Sequence, residues 1–231
     1  MAHLVRARLA LGALLSLLSL SAPMRVQAVS DAADELQVAT SLTPNLEHGA
    51  QLFEMCAACH GRDGTGAADG SVPAIAGQPA RVLVKQIVNF RHEARIDIRM
   101  AHFVDHRHLG DPQQLADVTA YVSSLAPRVP NASGEPSRAG TEGAGLYARE
   151  CERCHGPSAE PDARAGVPRL AGQHEEYLTR QLADALEGRR PAMGRDHARI
   201  LQPLSEAQRA ALASYLSQLR TAPTAGPPDR R

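Results

Sequence analysis

The chain has no tryptophan, and Phe, Trp and Tyr together make up 3% of its 231 residues. A core built from aromatic rings is excluded. Half-chains of about 90 residues lie near the lower limit for independent folding, so another large apolar body has to fill the interior. There is no spare cysteine either, because all four fall within two copies of one short motif. This excludes a thiolate-ligated centre, which would need a fifth. Neither sign of charge is in excess, with 25 basic against 25 acidic side chains, and residues 1–28 hold Arg6, Arg8 and Arg25 but no acid. The remainder is mildly acidic and lacks the basic face that nucleic-acid binding requires. The one notable apolar run, Leu9 to Leu20, is shorter than the about 20 residues of a membrane span. With Arg6 and Arg8 before it and Val26-Gln27-Ala28 after it, residues 1–28 read as a secretory signal peptide, and the expected location is the periplasm.

What is present is Cys56-Ala57-Ala58-Cys59-His60 and Cys151-Glu152-Arg153-Cys154-His155. Four cysteines in an exported chain ordinarily suggest two disulfides, but a disulfide does not require a histidine directly after each pair. Covalent attachment of haem c does: two thiols add to the porphyrin vinyl groups, and the adjacent imidazole becomes the proximal iron ligand. A zinc ribbon would place its two Cys-x-x-Cys units about 15 to 20 residues apart, whereas 91 residues separate Cys59 from Cys151. A thioredoxin-like motif would need strands around it, and the flanks here read as helical and glycine-rich. Two covalently bound haem c groups, each with its iron, are expected. Cys56, Cys59, Cys151 and Cys154 are their anchors, and His60 and His155 are the first axial ligands.

The offset of 95 residues from Cys56 to Cys151 also carries Gly61 onto Gly156, Pro73 onto Pro168, Gly77 onto Gly172, Gln78 onto Gln173 and Gln86 onto Gln181. The chain is a tandem duplication. Each copy reads as three helices, about Asn45–Ala57, Pro79–His92 and Asp111–Leu125 in the first, and about Glu142–Glu152, His174–Gly188 and Ser205–Leu219 in the second. Asp111-Pro112 and Ser205-Glu206 supply helix-start chemistry. Leu115, Val118, Val122 and Leu125 form an apolar stripe, as do Leu212, Leu216 and Leu219. Tyr121 and Tyr215 are expected against the first helix of each copy, where Gly49-Ala50 and Ala144-Gly145 allow close approach. The expected division is signal peptide 1–28, domains at 29–125 and 141–220, a Pro/Gly/Ser-rich linker at 126–140 and a disordered tail at 221–231.

An electron carrier needs a second axial ligand on each iron. Beyond the signal region the methionines are Met55, Met100 and Met193. Met55 adjoins Cys56 and cannot reach around the ring. Met100 lies 40 residues after His60 and Met193 lies 38 after His155, so the repeat favours these two as distal ligands. Histidine is the rival: His102, His106 and His108 follow Met100, and Asp105-His106 is echoed by Asp196-His197. Pro73 and Pro168 each follow the haem histidine by 13 residues and offer a carbonyl to orient its imidazole. Arg91, Arg95, Arg99, Arg189 and Arg190 are candidates for haem propionates, with solvated surface charge as the alternative.

The paired Cys-x-x-Cys-His-Gly motifs resemble the dihaem cytochromes c of the cytochrome c4 type. So do the Pro-x-(Ile/Leu)-Ala-Gly-Gln phrases, the helices around Lys85-Gln86 and Arg180-Gln181, Met100-Ala101-x-Phe103, and the closing helices with Tyr121 and Tyr215. The resemblance covers about Asn45 to Leu219. It implies an all-α fold of two tandem class I cytochrome c domains, His/Met ligation, and propionate edges facing across the lobe interface. It also implies electron delivery to a terminal oxidase or another respiratory partner. The expected role is that of an electron carrier without catalysis, exchanging electrons with a terminal oxidase, a quinol-cytochrome c reductase or a periplasmic dehydrogenase, with no nucleic acid and with peripheral membrane association open. Alternatives are the electron-accepting subunit of such a dehydrogenase, a thiosulfate-oxidising cytochrome or a dihaem peroxidase. A peroxidase of that kind needs an iron open to substrate and is usually a longer chain.

Overall fold

The computed structural model describes residues 24–128 and 138–220. The expected signal peptide, linker and tail fall wholly or largely outside them. The described residues form helices, with one isolated β-bridge between Asp162 and Val167. The first lobe contains α1 (Met24–Ser41), α2 (Leu46–His60), α3 (Ala80–Arg91), α4 (Ile98–Phe103) and α5 (Pro112–Ser124). The second contains α6 (Arg138–Glu150), α7 (Glu152–His155), α8 (Glu175–Leu186), a 3₁₀ turn at Pro191–Met193, α9 (Gly194–Leu201) and α10 (Glu206–Gln218).

Local chemistry accounts for the starts of the three principal first-lobe elements in different ways. The Asn45 side chain accepts from the amides of Glu47 and His48 at the head of α2. Asp111 and Gln114 form a capping box on α5, and Ser205 with Gln208 repeats it on α10. Helix α3 begins after Pro79 without a side-chain cap. The glycine after each haem histidine ends its helix with positive φ, 78° at Gly61 and 72° at Gly156, a conformation side chains rarely adopt.

In each lobe the first and last repeat helices cross at a glycine. A β-carbon on Gly49 would stand 2.2 Å from the Asp117 carbonyl oxygen, and one on Gly143 would stand 2.1 Å from that of Ala211. The crossing residue in the second lobe is therefore Gly143. The expected Gly145 faces only the end of the Arg149 side chain. Beside each crossing a tyrosine packs on the first helix, with ring centres 5.5 Å apart for Phe53–Tyr121 and for Tyr147–Tyr215. Phe53, Val84, Val88, Leu115, Val118 and Val122 form the first core, and Leu146, Tyr147, Leu178, Leu212 and Leu216 the second.

Helices α1, α4 and α9 are additions to the three-helix expectation. Helix α1 places Ala39 in the first core and Glu35 against Arg91 and His92. The lobes join through the duplicated Ala-Gly-Gln phrase. Gln78 donates to the Arg169 carbonyl at 2.8 Å and accepts from its amide at 2.9 Å. Gln173 makes the same pair with Ala74, at 2.8 and 2.9 Å. Both glutamines are buried, and the two clasps relate the lobes by an approximate twofold.

Candidate haem sites

Helix α2 runs unbroken through Cys56 and Cys59 to His60. All four cysteines are free thiols: Cys59 and Cys154 are exposed, while Cys56 and Cys151 are half-buried. Burial pushes the thiols of Cys56 and Cys151 up to about 11. His60 is buried, and its Nδ1 lies 3.0 Å from the Pro73 carbonyl, so Nδ1–H donates there and Nε2 is the nitrogen left to a metal. Burial holds this imidazole below its ordinary pKa, keeping it neutral as a metal ligand must be.

The second lobe departs from this pattern. Helix α6 stops at Glu150, Cys151 forms a joint, and α7 carries Cys154 and His155 as a separate turn. His155 Nδ1 is buried but has no hydrogen-bond partner, so the orienting carbonyl expected at Pro168 is not engaged. Burial, then the charge of His197, lowers His155 to about 4. A cavity of about 410 Å³ opens beside Cys154, His155, Gly156 and Glu160.

Of the expected distal donors, Met100 lies in α4, half-buried, beneath an Asp97 cap that accepts from the Arg99 and Met100 amides. His102 packs edge-on against Phe103 and His108, and His108 Nδ1 lies 2.9 Å from Asp105. Met193, also half-buried, ends the 3₁₀ turn. The ring the structure brings to His155 is that of His197, with centres 6.0 Å apart and planes at 69°. Its only sequence signal was the echo of Asp105-His106 in Asp196-His197.

The five candidate arginines separate sharply. Arg91 pairs with Glu35 and donates to the carbonyls of Val104 and Leu109; burial lowers it to about 10. Arg99 pairs with Asp97, and Arg189 with Asp184 and Glu187. Arg95 and Arg190, which the repeat relates, form no ion pair among the described residues. They meet instead at the lobe interface. Arg95 donates to Gln86 at 2.7 Å, to Gln181 at 2.8 Å and to the Tyr177 hydroxyl, and Arg190 donates to Gln86 at 3.2 Å. Burial, then the charge of Arg95, lowers Arg190 to about 10.

These residues suit a covalent porphyrin in each lobe. Free thiol pairs sit beside neutral imidazoles, and the buried Arg95 and the half-buried Arg190 lack carboxylate partners among the described residues where the lobes meet. The arrangement defines a c-type cytochrome with two attachment sites. The cytochrome c family pattern matches residues 46–126 and again 140–220. The chain belongs to the cytochrome c family, as a tandem pair of the cytochrome c4 type. It is 38% identical over 176 residues to cytochrome c4 of Pseudomonas aeruginosa, covering 71% of this chain and 84% of that one. It is 32% identical over 173 residues to the thiosulfate dehydrogenase electron acceptor of Stutzerimonas stutzeri, covering 71% and 78%. The crystal structure of reduced recombinant cytochrome c4 from Pseudomonas stutzeri superposes with a TM-score of 0.67 at 30% identity, covering 77% of this chain and all of that one. The chain is accordingly a dihaem electron-transfer cytochrome, a carrier and not an enzyme, with two covalent haem c groups and redox proteins as its partners. Among the described residues no helix is long and apolar enough to cross a membrane.

Proposed function

We propose that the mature protein is a periplasmic carrier that takes single electrons from one respiratory redox protein and delivers them to another. The observation that carries this is the duplication of the attachment site on either side of an interface at which Arg95 and Arg190 meet. Haem c supplies a reversible one-electron iron couple when bound. Cys56 with Cys59 and Cys151 with Cys154 anchor the two groups, His60 and His155 are their proximal ligands, and Met100 and Met193 are the repeat-related distal donors.

Arg95 and Arg190 hold the propionate edges. Each is fixed by neutral amides and not by a carboxylate, so its charge is available to an anion. Exposed Ile96, Ile98 and Phe103 around Met100 offer apolar surface to a ring. The signal-like residues 1–28 support export. The donor or acceptor is a terminal oxidase, a quinol-cytochrome c reductase or a periplasmic dehydrogenase. The similarity to a thiosulfate dehydrogenase electron acceptor favours the dehydrogenase.

A spectroelectrochemical titration of the holoprotein should take up two electrons per chain, one per haem, and added peroxide should not be turned over. Sustained peroxide consumption would move the chain to the enzymatic reading.

A further inference from the structure

The two haem motifs are alike in sequence, yet their surroundings differ on both sides of the histidine. In the first lobe His60 is oriented by the Pro73 carbonyl, and no ring contact reaches it among the described residues. In the second, His155 has no partner at Nδ1, and its ring meets that of His197 edge-on, with the planes at 69°. Two imidazoles bonded to opposite sides of one metal ion, each at about 2.0 Å, put their ring centres about 6 Å apart. The observed separation is 6.0 Å.

His197 is also prepared electronically. Its Nδ1 lies 2.7 Å from the Met193 carbonyl, so Nδ1–H donates there and Nε2 carries the free lone pair. A metal-bound histidine generally donates its other N–H to a carbonyl or carboxylate in this way. The carbonyl belongs to Met193 itself, four residues earlier, so the two distal donors are one helical turn apart and mechanically joined.

We infer that His197 is a distal ligand of the second-lobe haem, exchanging with Met193, so that this iron has a His/His form that the first-lobe iron lacks. The inference rests on His155 as the proximal ligand proposed above. The exchange would need no oxidant or reductant, because His197 and Met193 would each offer one neutral donor atom and one would take the place of the other. Bis-His ligation lowers the potential relative to His/Met, so the exchange sets the direction of electron flow between two otherwise similar lobes.

The test compares holoprotein variants after a pyridine haemochrome assay has confirmed two covalent haems in each. Loss of haem there would count against the proximal assignment and not against His197. In the reduced state Met193→Ala should remain closed to carbon monoxide, whereas Met193→Ala/His197→Gln should bind one carbon monoxide per chain. Glutamine keeps an N–H donor for the residue 193 carbonyl while removing the imidazole. In the oxidised state the weak near-infrared band of methionine-sulfur ligation should be worth fewer than two haems in the wild type and should rise towards two in His197→Gln. Binding of one carbon monoxide by Met193→Ala alone would overturn the inference. So would a wild-type band already worth two haems that His197→Gln leaves unchanged.

Discussion

Asp117 shows how one side chain sets the geometry of a lobe. It is 1% exposed and receives three hydrogen bonds, each of 2.7 Å, from the Asn45 amide, His48 and the Gln113 amide group, which tie the head of α2 to α5. Burial alone would raise its carboxyl, but these bonds and the charge of His48 hold it below the ordinary aspartate range. A carboxyl with a lowered native pKa contributes stability that is present above its unfolded value and is lost as pH falls through the native one. Asp117→Asn should therefore cost about 1–3 kcal/mol at neutral pH and flatten the acid limb of the stability curve, as read by denaturant titration across pH. Equal stability at pH 7 and an unchanged acid limb would contradict this. Part of this scale was legible beforehand. The caps at Asp111 and Ser205 and the tyrosine contacts depend on local chemistry or on the repeat. Asp117 was not, because an aspartate on a helix facing inward cannot be told from one facing solvent until its partner, here 72 residues away, is in place.

At the scale of elements, the helix crossings and the lobe clasp decide the architecture. Gly49 and Gly143 are where backbone meets backbone, so Gly49→Ala or Gly143→Ala should destabilise its lobe by at least about 2 kcal/mol in thermal or denaturant melts. Gly145→Ala should be tolerated, and it is the control that separates crowding from helix propensity. The sequence pattern favoured Gly145 over Gly143 because both neighbour the right turn of α6, and only the course of α10 selects between them. Helix α1 escaped for a related reason. Its apolar stripe is only Ala32, Leu36 and Ala39, too small to stand out beside Asp31, Asp34 and Glu35, and the helix is placed by that stripe on the first core together with Glu35 meeting Arg91 and His92. The break at Cys151 escaped because the two haem motifs have the same pattern on either side of it. The unpaired His155 Nδ1 lies four residues past that break.

Across the whole molecule, the duplication turns two small lobes into a paired device. Gln78 and Gln173 close the interface with four buried hydrogen bonds to backbone, and Arg95 and Arg190 face each other beyond them. Two arginines held by glutamine and tyrosine, without an ion pair among the described residues, are costly unless an anion joins them. That is the strongest structural reason for placing the propionate edges there. The covalent cofactor also answers the scarcity of aromatic residues, since it supplies the apolar body the lobes lack. The account therefore depends most on the number and attachment of the haems. Intact-mass spectrometry of the purified mature chain, read with its pyridine haemochrome spectrum, tests this directly. The expected result is the polypeptide plus two haem masses with a c-type spectrum. A chain carrying zinc, or two disulfides and no haem, would contradict it.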